Sequence, residues 1–271
     1  MILPGTYANG FAPRDGRPLY PELWRGCVGA WNPGLGVSGL TLRDWSGFQN
    51  NGTLTNGPTW AASQGKYVLN FDGVDDYVQI AGSRIYAQTG TAFGVHVSAV
   101  VNNFTNPYVK LVMLRSNSAS AYEIGVSNQS AYLGVLIGAN STWARVKSGT
   151  ASADISGKQI SVSVSYSGAD STLRSSFQIW FNGVEAVTTD AQAFSATTNS
   201  TTIAYNIANN RLDGNVCDVM TYNRPLTNRD AVLFARRIGI AYEMAPRRRS
   251  SAAVPVTSYS TFRPSVLRGS R

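Results

Sequence analysis

Histidine and cysteine are scarce in this chain of 271 residues, which has one histidine, His96, and two cysteines, Cys27 and Cys217. A Ser–His–Asp hydrolase needs a positioned histidine base, and a zinc centre needs several histidine or cysteine ligands. Two cysteines are also too few for a disulfide-stapled scaffold. These absences exclude most nucleophilic and zinc-hydrolase chemistry from the expected functions.

Long apolar runs are missing as well. None approaches the roughly 20 residues that a helix needs to cross a bilayer. The opening stretch MILPGTYANG has neither the basic nor the apolar region of a secretory signal peptide. We therefore expect a protein without membrane contact that is made in a cytoplasm and stays there or leaves by lysis.

Negative charge is low, and the formal net charge of +8 is unevenly distributed. Residues 23–242 carry fifteen basic and twelve acidic groups, whereas residues 243–271 carry six arginines and one glutamate. The run Arg247, Arg248 and Arg249 has three interpretations: a solvated tail, a nucleic-acid contact, or an arm that docks on an acidic neighbouring subunit. Because no aromatic residues interleave with the run, we favour docking on protein and do not expect nucleic acid as a partner.

Short strand-like runs fill the middle of the chain, between clusters of Gly, Asn, Ser and Asp. Examples are GCVGAW, KYVLNF, FGVHVSAVV, ISVSVSY, FQIWF and VCDVMTY. This spacing predicts an all-β fold, an antiparallel β-sandwich. Asn182-Gly183 between FQIWF and VEAV predicts a type I′ hairpin. Residues 227–242 are the exception, because Thr227 and Asp230 have capping-box spacing and predict one short C-terminal helix.

The two ends of the chain have the composition of arms rather than of domains. Residues 1–22 hold four of the eleven prolines, and residues 243–271 are rich in Ser, Arg and Pro. Neither segment has enough apolar residues to fold alone. We predict an extended N-terminal arm over residues 1–22, a sandwich over residues 23–242 and a basic C-terminal arm over residues 243–271.

Five motifs, in this order, resemble the LamG-type jelly roll of the concanavalin A-like lectin/glucanase superfamily. They are GCVGAW, DWSGFQNNGTLTNGPTW, LNFDGVDDYV, FQIWFNGVEAV and LDGNVCDVMTYNRPLTNRDA. The resemblance covers roughly Trp24 to Ile238 and implies a jelly-roll sandwich, but one fold hosts binding, catalysis and architecture. With its arms, the chain is similar in style to proteins that tailed bacteriophages encode among their virion genes.

The catalytic residues of the family's glucanases are not matched. Those enzymes carry a Glu-x-Asp-x-x-Glu strand, because retaining hydrolysis needs two carboxyl groups about 5 Å apart. The chain has only four glutamates, and none has an aspartate two residues later. We therefore expect no enzymatic activity.

A structural calcium ion is the one cofactor that the resemblance implies. In calcium-binding members the site corresponds to Asp44 of the DWSG loop and Asp218 near the end of the domain, with backbone carbonyls between them. The alternative for Asp44 is an Asx turn that caps Ser46 or Gly47, and for Asp218 a pair with a neighbouring arginine. Because calcium prefers six or more oxygens, we favour these alternatives.

The resemblance also bears on the two cysteines. The first and last strands of the family's sandwich tend to be neighbours, which implies a disulfide between Cys27 and Cys217. The alternative is two separate buried thiols that act as small apolar groups.

Glycan contacts, if the domain binds a sugar, are expected from rings, because sugar C–H faces stack on exposed aromatic side chains. The candidates are His96, Tyr122, Tyr132 and Trp143. The alternative is that these residues are hydrogen-bonded or core members of the sandwich.

The stretch LNFDGVDDYVQI contains three carboxylates, Asp72, Asp75 and Asp76. We interpret it as a hairpin turn that follows a strand in which Tyr67 and Phe71 point to the core. Asp75 or Asp76 is then at most a supporting ligand of a bound cation.

The leading function hypothesis from the sequence is a non-enzymatic structural protein of a bacteriophage virion, a capsid decoration or tail accessory protein located in the virion. Its arms would contact other virion proteins, that is capsid or tail subunits, and copies of itself. The alternative is a carbohydrate-binding module or adhesin that recognises host or environmental glycans. The two hypotheses are compatible, since a surface protein of a phage can also adhere to glycans.

Overall fold

The computed structural model describes residues 20–63, 66–81, 91–103, 108–115, 120–127, 133–138, 144–148, 155–169, 176–188, 200–204 and 211–236. These residues form sixteen strands, two α-helices and one 3₁₀ helix, Pro33–Leu35. The strands are β1 (Cys27–Trp31), β2 (Thr41–Leu42), β3 (Gly52–Thr55), β4 (Thr59–Ser63), β5 (Lys66–Asp72), β6 (Tyr77–Ala81), β7 (Phe93–Val101), β8 (Tyr108–Arg115), β9 (Ser120–Ser127), β10 (Leu133–Gly138), β11 (Ala144–Ser148), β12 (Gln159–Tyr166), β13 (Phe177–Phe181), β14 (Val184–Thr188), β15 (Ser200–Ile203) and β16 (Asp213–Tyr222). The helices are α1 (Pro21–Trp24) and α2 (Asn228–Arg236).

The strands build two antiparallel sheets, which confirms the predicted β-sandwich. Sheet A has the order β4–β5–β16–β7–β12–β13–β14, with β1 paired to β16 beside this path. Sheet B has the order β2–β3–β6–β15–β8–β9–β10–β11. Strand β14 also pairs with β11 and so joins the two sheets along one side.

Buried side chains form two separate clusters, one on each face of sheet A. The main core lies between the sheets and includes Leu69, Phe71, Val97, Val162 and Val219. The second core lies between sheet A and the two helices; its members are Leu23, Trp24, Cys27, Ala30, Trp180, Met220, Tyr222, Leu226, Ala231 and Phe234. Because both faces of β7 are covered, nearly every residue of this strand is buried.

Strand β16 changes partners halfway along its length. One side pairs with β7 throughout, while on the other side residues 213–216 pair with β5 and residues 219–222 pair with β1. The register against β7 shifts between Val216 and Asp218, so Cys217 is the extra residue of a β-bulge. The bulge reverses the alternation of the strand, because Val216 and Val219 both enter the main core.

Two local predictions are confirmed. Asn182 and Gly183 have φ angles of 50° and 79° and connect β13 to β14 as the hairpin pattern requires. The backbone N–H of Asp230 donates to Oγ1 of Thr227 at 3.2 Å, and the N–H of Thr227 donates to Oδ2 of Asp230 at 2.8 Å. This reciprocal capping box begins α2 immediately after Thr227.

Two expectations need correction. Helix α1 begins at Pro21, inside the predicted arm, because Leu23 and Trp24 are buried in the second core. Tyr67 is 45% exposed rather than in the core, since it pairs with Ala62 of β4, a strand at the open edge of sheet A that covers little of it. Among the described residues, no helix is both long and apolar enough to span a membrane.

Candidate functional site

Carboxylates, an amide and a guanidinium gather at one end of the sandwich, where three connections meet. Strand β5 of sheet A ends at Asp72, and its connection to β6 of sheet B contains Asp75 and Asp76. Asn56 lies in the turn between β3 and β4, and Arg211 lies two residues before the start of β16. We call these five residues the acidic end.

Hydrogen bonds within the turn between β5 and β6 define its shape. The backbone N–H of Val74 donates to Oδ1 of Asp72 at 2.8 Å, and the N–H of Asp72 donates to Oδ2 of Asp76 at 3.1 Å. Gly73 has a φ of 77°, and a Cβ there would lie 3.0 Å from Cβ of Asp213, so glycine suits the position on both counts. The interpretation of this stretch as a turn is therefore confirmed, but the turn is not a hairpin, because β5 pairs within sheet A and β6 pairs within sheet B.

Side chains from two other segments donate hydrogen bonds to the same turn. Nδ2 of Asn56 donates to the carbonyl of Asp75 at 3.0 Å, and Nη1 of Arg211 donates to the carbonyl of Val74. Asp72 and Asp75 remain exposed, and Val74 at the tip is 67% exposed. The turn therefore presents two hydrogen-bond-accepting carboxylates beside an apolar group.

The carboxylates of Asp72, Asp75 and Asp76 lie within 4.8 Å of one another, the one such group of three metal-ligand side chains within the described part of the chain. Asp76 is buried, and this desolvation is the main cause that raises the pKa of its carboxyl; the charges of Asp72 and Asp75 act in the same direction, and the N–H of Asp72 opposes them. The sequence suggested these acids only as supporting ligands.

Asp44 caps the DWSG loop instead of facing a second carboxylate. Its Oδ1 accepts the N–H groups of Ala30 and Ser46 at 2.9 and 2.8 Å. Its Oδ2 accepts the hydroxyl of Ser46 at 2.8 Å and the N–H of Asn50 at 3.0 Å. Both oxygens are occupied by donors, which is the Asx-turn alternative for this residue.

Asp218 lies across β1 from Asp44, since Trp31 pairs with both Val219 and Asp44. It is fully buried, and its Oδ1 lies 3.4 Å from Nε2 of His96 rather than beside an arginine. The structure therefore does not bring the two predicted calcium ligands together. Calcium binding stays a prediction: EDTA should lower the melting temperature, and an unchanged melting temperature would contradict it.

The two cysteines are separate thiols. Cys27 pairs with Tyr222 at the end of β16, whereas Cys217 occupies the bulge five positions earlier. Five residues of strand span about 16 Å, which exceeds the Cα separation that a disulfide allows. The predicted disulfide is thus absent between these two residues, and of the two thiols Cys27 is buried whereas Cys217 is half-buried. Burial raises the pKa of Cys217 to about 12 and raises that of Cys27 as well.

The structure describes two of the four residues predicted to contact a glycan, His96 and Tyr122. His96 is fully buried, and its Nδ1 lies 3.0 Å from Oγ of Ser163. A ring that a ligand does not reach cannot stack on a sugar, so His96 is a hydrogen-bonded sheet residue, which was its alternative. Tyr122 lies on β9 of sheet B. The remaining predicted residues lie outside the described residues: Tyr132, Trp143, Arg247, Arg248 and Arg249.

No protein-family model matches the chain, and no curated protein matches it in sequence. Solved structures do share its fold. Domain 4 of AbnA, a GH43 extracellular arabinanase from Geobacillus stearothermophilus in complex with arabinotriose, has a TM-score of 0.57 and 14% identity, over 77% of this chain and 98% of that one. The Trypanosoma rangeli sialidase in complex with sialic acid has a TM-score of 0.55 and 14% identity, over 82% of this chain and 34% of that one.

A binding domain of a toxin belongs to the same group. The binding domain of Botulinum neurotoxin DC, in complex with rat synaptotagmin II, has a TM-score of 0.59 and 13% identity, over 78% of this chain and 51% of that one. The chain thus spans about a third of the sialidase and about half of the neurotoxin fragment. At this identity the likeness shows the β-sandwich fold alone, and the LamG and bacteriophage parts of the resemblance stay predictions.

Proposed function

We propose that the chain is a non-enzymatic binding domain that recognises glycans through the acidic end. The observation that carries the proposal is the pair of exposed carboxylates, Asp72 and Asp75, beside the exposed Val74 on a turn that Asn56 and Arg211 hold in place. Carboxylates accept hydrogen bonds from sugar hydroxyls, and an apolar group contacts the C–H face of a sugar ring. A fixed turn presents both without a large ordering cost on binding.

The comparisons support this class of function. A whole domain of the arabinanase, solved with arabinotriose, has the same fold, as do parts of a sialidase solved with sialic acid and of a neurotoxin binding domain solved with rat synaptotagmin II. Binding domains are therefore well represented among similar structures. For this reason we place the carbohydrate-binding alternative ahead of the virion hypothesis.

The carboxyl group of Asp76 is poorly placed for catalysis. Asp76 has a raised pKa, which is the property of a general acid in glycoside hydrolysis. However, it is only 6% exposed, and its Oδ2 accepts the N–H of Asp72 within its own turn. A glycosidic oxygen does not reach a carboxyl in that position, so the raised pKa of Asp76 reflects the burial of its carboxyl rather than a catalytic role.

A glycan array probed with the full chain tests the proposal. We expect selective binding to a small set of saccharides and no release of reducing ends from them. The double variant Asp72→Asn, Asp75→Asn should lose at least about tenfold in affinity, because charge-assisted hydrogen bonds are stronger than neutral ones. Glu185→Gln, an exposed change on β14 several strands away, is the matched control and should bind normally.

Three outcomes would contradict the proposal. An array without binding to any saccharide would show that the chain does not recognise these glycans. Equal binding by the double variant and the control would show that the glycan site lies outside the acidic end. Release of new reducing ends would overturn the non-enzymatic part.

A structural role in a bacteriophage virion is the second candidate. One observation favours it: α1, which follows residues 1–19, and α2, which precedes residues 237–271, pack together in the second core. Arg224 joins them, because its Nε donates to the carbonyl of Arg25 at 2.6 Å and its Nη1 lies 2.7 Å from Oδ2 of Asp230. Both terminal segments therefore attach to the same helical face, where one patch of capsid or tail subunits would contact both.

Deletion of residues 1–19 or 243–271 tests the virion candidate separately. Each deletion should abolish incorporation into phage particles, while circular dichroism shows an intact sandwich and the array result is unchanged. Normal incorporation of both truncated proteins would contradict the role of the arms and leave the glycan proposal untouched.

A further inference from the structure

Strand β4 lies at an open edge of sheet A. It pairs with β5 over its whole length, from Thr59 to Ser63. On the side away from β5, the backbone groups of β4 have no hydrogen-bond partner within the described part of the chain. The strand order ends at β4 in sheet A and at β2 in sheet B, and β2 is only two residues long. Of these two edges, β4 therefore offers the longer one to a further strand.

This edge lacks the features that usually prevent strand addition. Exposed edges are normally guarded by charged side chains, prolines or bulges. Strand β4 has the sequence TWAAS, which contains neither a charged residue nor a proline. Its register against β5 runs without a shift. An uncharged and regular edge of this kind accepts an extended segment through main-chain hydrogen bonds.

Exposed apolar side chains border the same edge. Nε1 of Trp60 donates to the carbonyl of Gly39 at 2.8 Å, which ties the loop before β2 to β4. In this loop Val37 and Leu40 are 53% and 73% exposed. Tyr67 of β5, which pairs with β4, is also exposed. Three of the five large apolar side chains that are exposed in the described residues thus lie around β4, so an added strand gains apolar contacts as well.

The C-terminal segment of the chain contains a run with the composition of a strand. Residues 256–263, VTSYSTFR, lie between Pro255 and Pro264, and five of them are β-branched or aromatic. Prolines are tolerated at strand ends, so they bound the run without interrupting it. By contrast, residues 1–19 contain no stretch longer than four residues without glycine or proline. Residues 256–262 are therefore the terminal segment best suited to pair with β4.

This segment can reach β4 within one chain. Helix α2 ends at Arg236 and packs on β12 and β14. Three strands, β7, β16 and β5, separate β12 from β4, a distance of about 19 Å at the usual strand spacing. Residues 237–255 can extend over roughly 60 Å. A segment tethered in this way has an effective concentration on the order of millimolar, which favours its own chain over a second copy.

We propose that residues 256–262 add to the open edge of β4 as a further strand of sheet A. Their backbone groups pair with those that β4 leaves free, and their apolar side chains contact Val37, Leu40 and Tyr67. The added strand covers the edge and so keeps it from pairing with another molecule. This role goes beyond glycan recognition, since none of these residues belongs to the acidic end.

Hydrogen exchange measured by mass spectrometry on the full chain tests the added strand. Consecutive residues of a strand direct their N–H groups to opposite sides, so the double variant Ser258→Pro, Tyr259→Pro removes a ladder donor in either register. Exchange at residues 59–63 should become at least about tenfold faster, because their outward N–H groups lose their partners. The matched control Ser250→Pro, Ser251→Pro lies outside the segment and should exchange like the wild type.

Dilution of the wild-type protein identifies the chain that donates the strand. Because a tethered segment has an effective concentration of about millimolar, the exchange of β4 should not change over an approximately hundredfold dilution in the micromolar range. Exchange that becomes faster on dilution would assign the strand to a second copy and overturn the proposal for a single chain.

Three further outcomes would overturn the proposal. The first is equal exchange of β4 in the wild type and in Ser258→Pro, Tyr259→Pro. The second is equal acceleration in that variant and in the matched control. The third is acceleration of the central strand β7 by the same factor, which would assign the effect to unfolding of the sandwich. The glycan array should give the same result for both double variants, so it tests glycan recognition separately.

Discussion

Strand β7 separates two buried regions with different chemistry. On one side Val95, Val97 and Ala99 enter the main core, a cluster of aliphatic and aromatic side chains that spans both sheets. On the other side His96 and Ser98 face α2, where His96 lies 3.4 Å from the buried carboxyl group of Asp218 and its ring stacks on Phe234. An apolar cluster accepts many residues of suitable size, whereas a buried polar group requires a partner in one place. The main core thus provides most of the stability, and the second core provides a defined position for α2.

The largest expected effect comes from a cavity in the main core. Phe71 is 1% exposed, and Phe71→Ala should lower the free energy of unfolding by about 3–5 kcal/mol, from lost burial and the cavity left behind. Both regions should unfold together in a urea titration followed by tryptophan fluorescence. Val184→Ala, at a residue 70% exposed, is the control with little change. A loss below about 1 kcal/mol for Phe71→Ala would contradict the central role of the main core.

A smaller effect confined to the second core is expected from Arg224. Its side chain lies over the ring of Tyr222 at 4.9 Å and contacts Arg25 and Asp230. Arg224→Met should lower stability by about 2 kcal/mol, because it leaves the mostly buried carboxylate of Asp230 without its cation.

Hydrogen exchange should place the effect of Arg224→Met in α1 and α2 and leave sheet B unchanged. Arg229→Met is the matched control: the Arg229 side chain is 77% exposed and its one ion pair among the described residues is with Glu22 at 3.5 Å, so little change is expected. Equal losses from the two variants would remove the distinction between the buried and the exposed pair.

The cap of α2 should contribute less again. Thr227→Ala removes the hydroxyl that accepts the N–H of Asp230, and loss of such a cap costs about 1 kcal/mol. The protection of α2 should fall, while Thr227→Ser, which keeps the hydroxyl, should retain it. A Thr227→Ala protein with unchanged exchange in α2 would show that Phe234 alone positions the helix.

The smallest effect concerns the thiols. Burial raises the pKa of Cys217 to about 12, so the folded state favours the neutral thiol. This contribution to stability is complete below the ordinary thiol pKa of about 8.5 and is lost as the pH rises above that value.

Alkylation followed by mass measurement checks the thiols. Without reductant, the folded chain should label slowly at about pH 8, near the ordinary thiol pKa, and both thiols should label in denaturant. If neither thiol labels in denaturant, Cys27 and Cys217 are not free.

The sandwich was predictable because its central strands have clear sequence patterns. Runs such as FGVHVSAVV and ISVSVSY combine β-branched residues with turn residues at both ends. Asn182-Gly183 predicts a specific turn, and the spacing of Thr227 and Asp230 predicts a helix cap. The structure contains the turn and the cap. Strands such as β3 and β15 are short and rich in threonine, and they form because neighbouring strands pair with them.

The sites were less predictable, because they depend on register and on distant contacts. The bulge at Cys217 decides which face Asp218 occupies, and one extra residue in a strand reverses that face without any mark in VCDVMTY. For this reason Asp218 meets His96 rather than Asp44. The acidic end depends likewise on Asn56 and Arg211, which reach the β5–β6 turn from remote positions in the chain. Only the Asp-Gly turn itself was visible in the sequence.

Strand β16 is the last of the described strands and lies in the middle of sheet A, between β7 on one side and β5 and β1 on the other. Until residues 213–222 leave the ribosome, sheet A consists of three separate parts, β4–β5, β1 and β7–β12–β13–β14, whose edges towards β16 expose unpaired backbone groups. The contact of Cys27 with Tyr222 joins the first described strand to the last. Such long-range pairings form slowly. Until β16 has been synthesised, the unpaired strand edges of the nascent chain are exposed to aggregation.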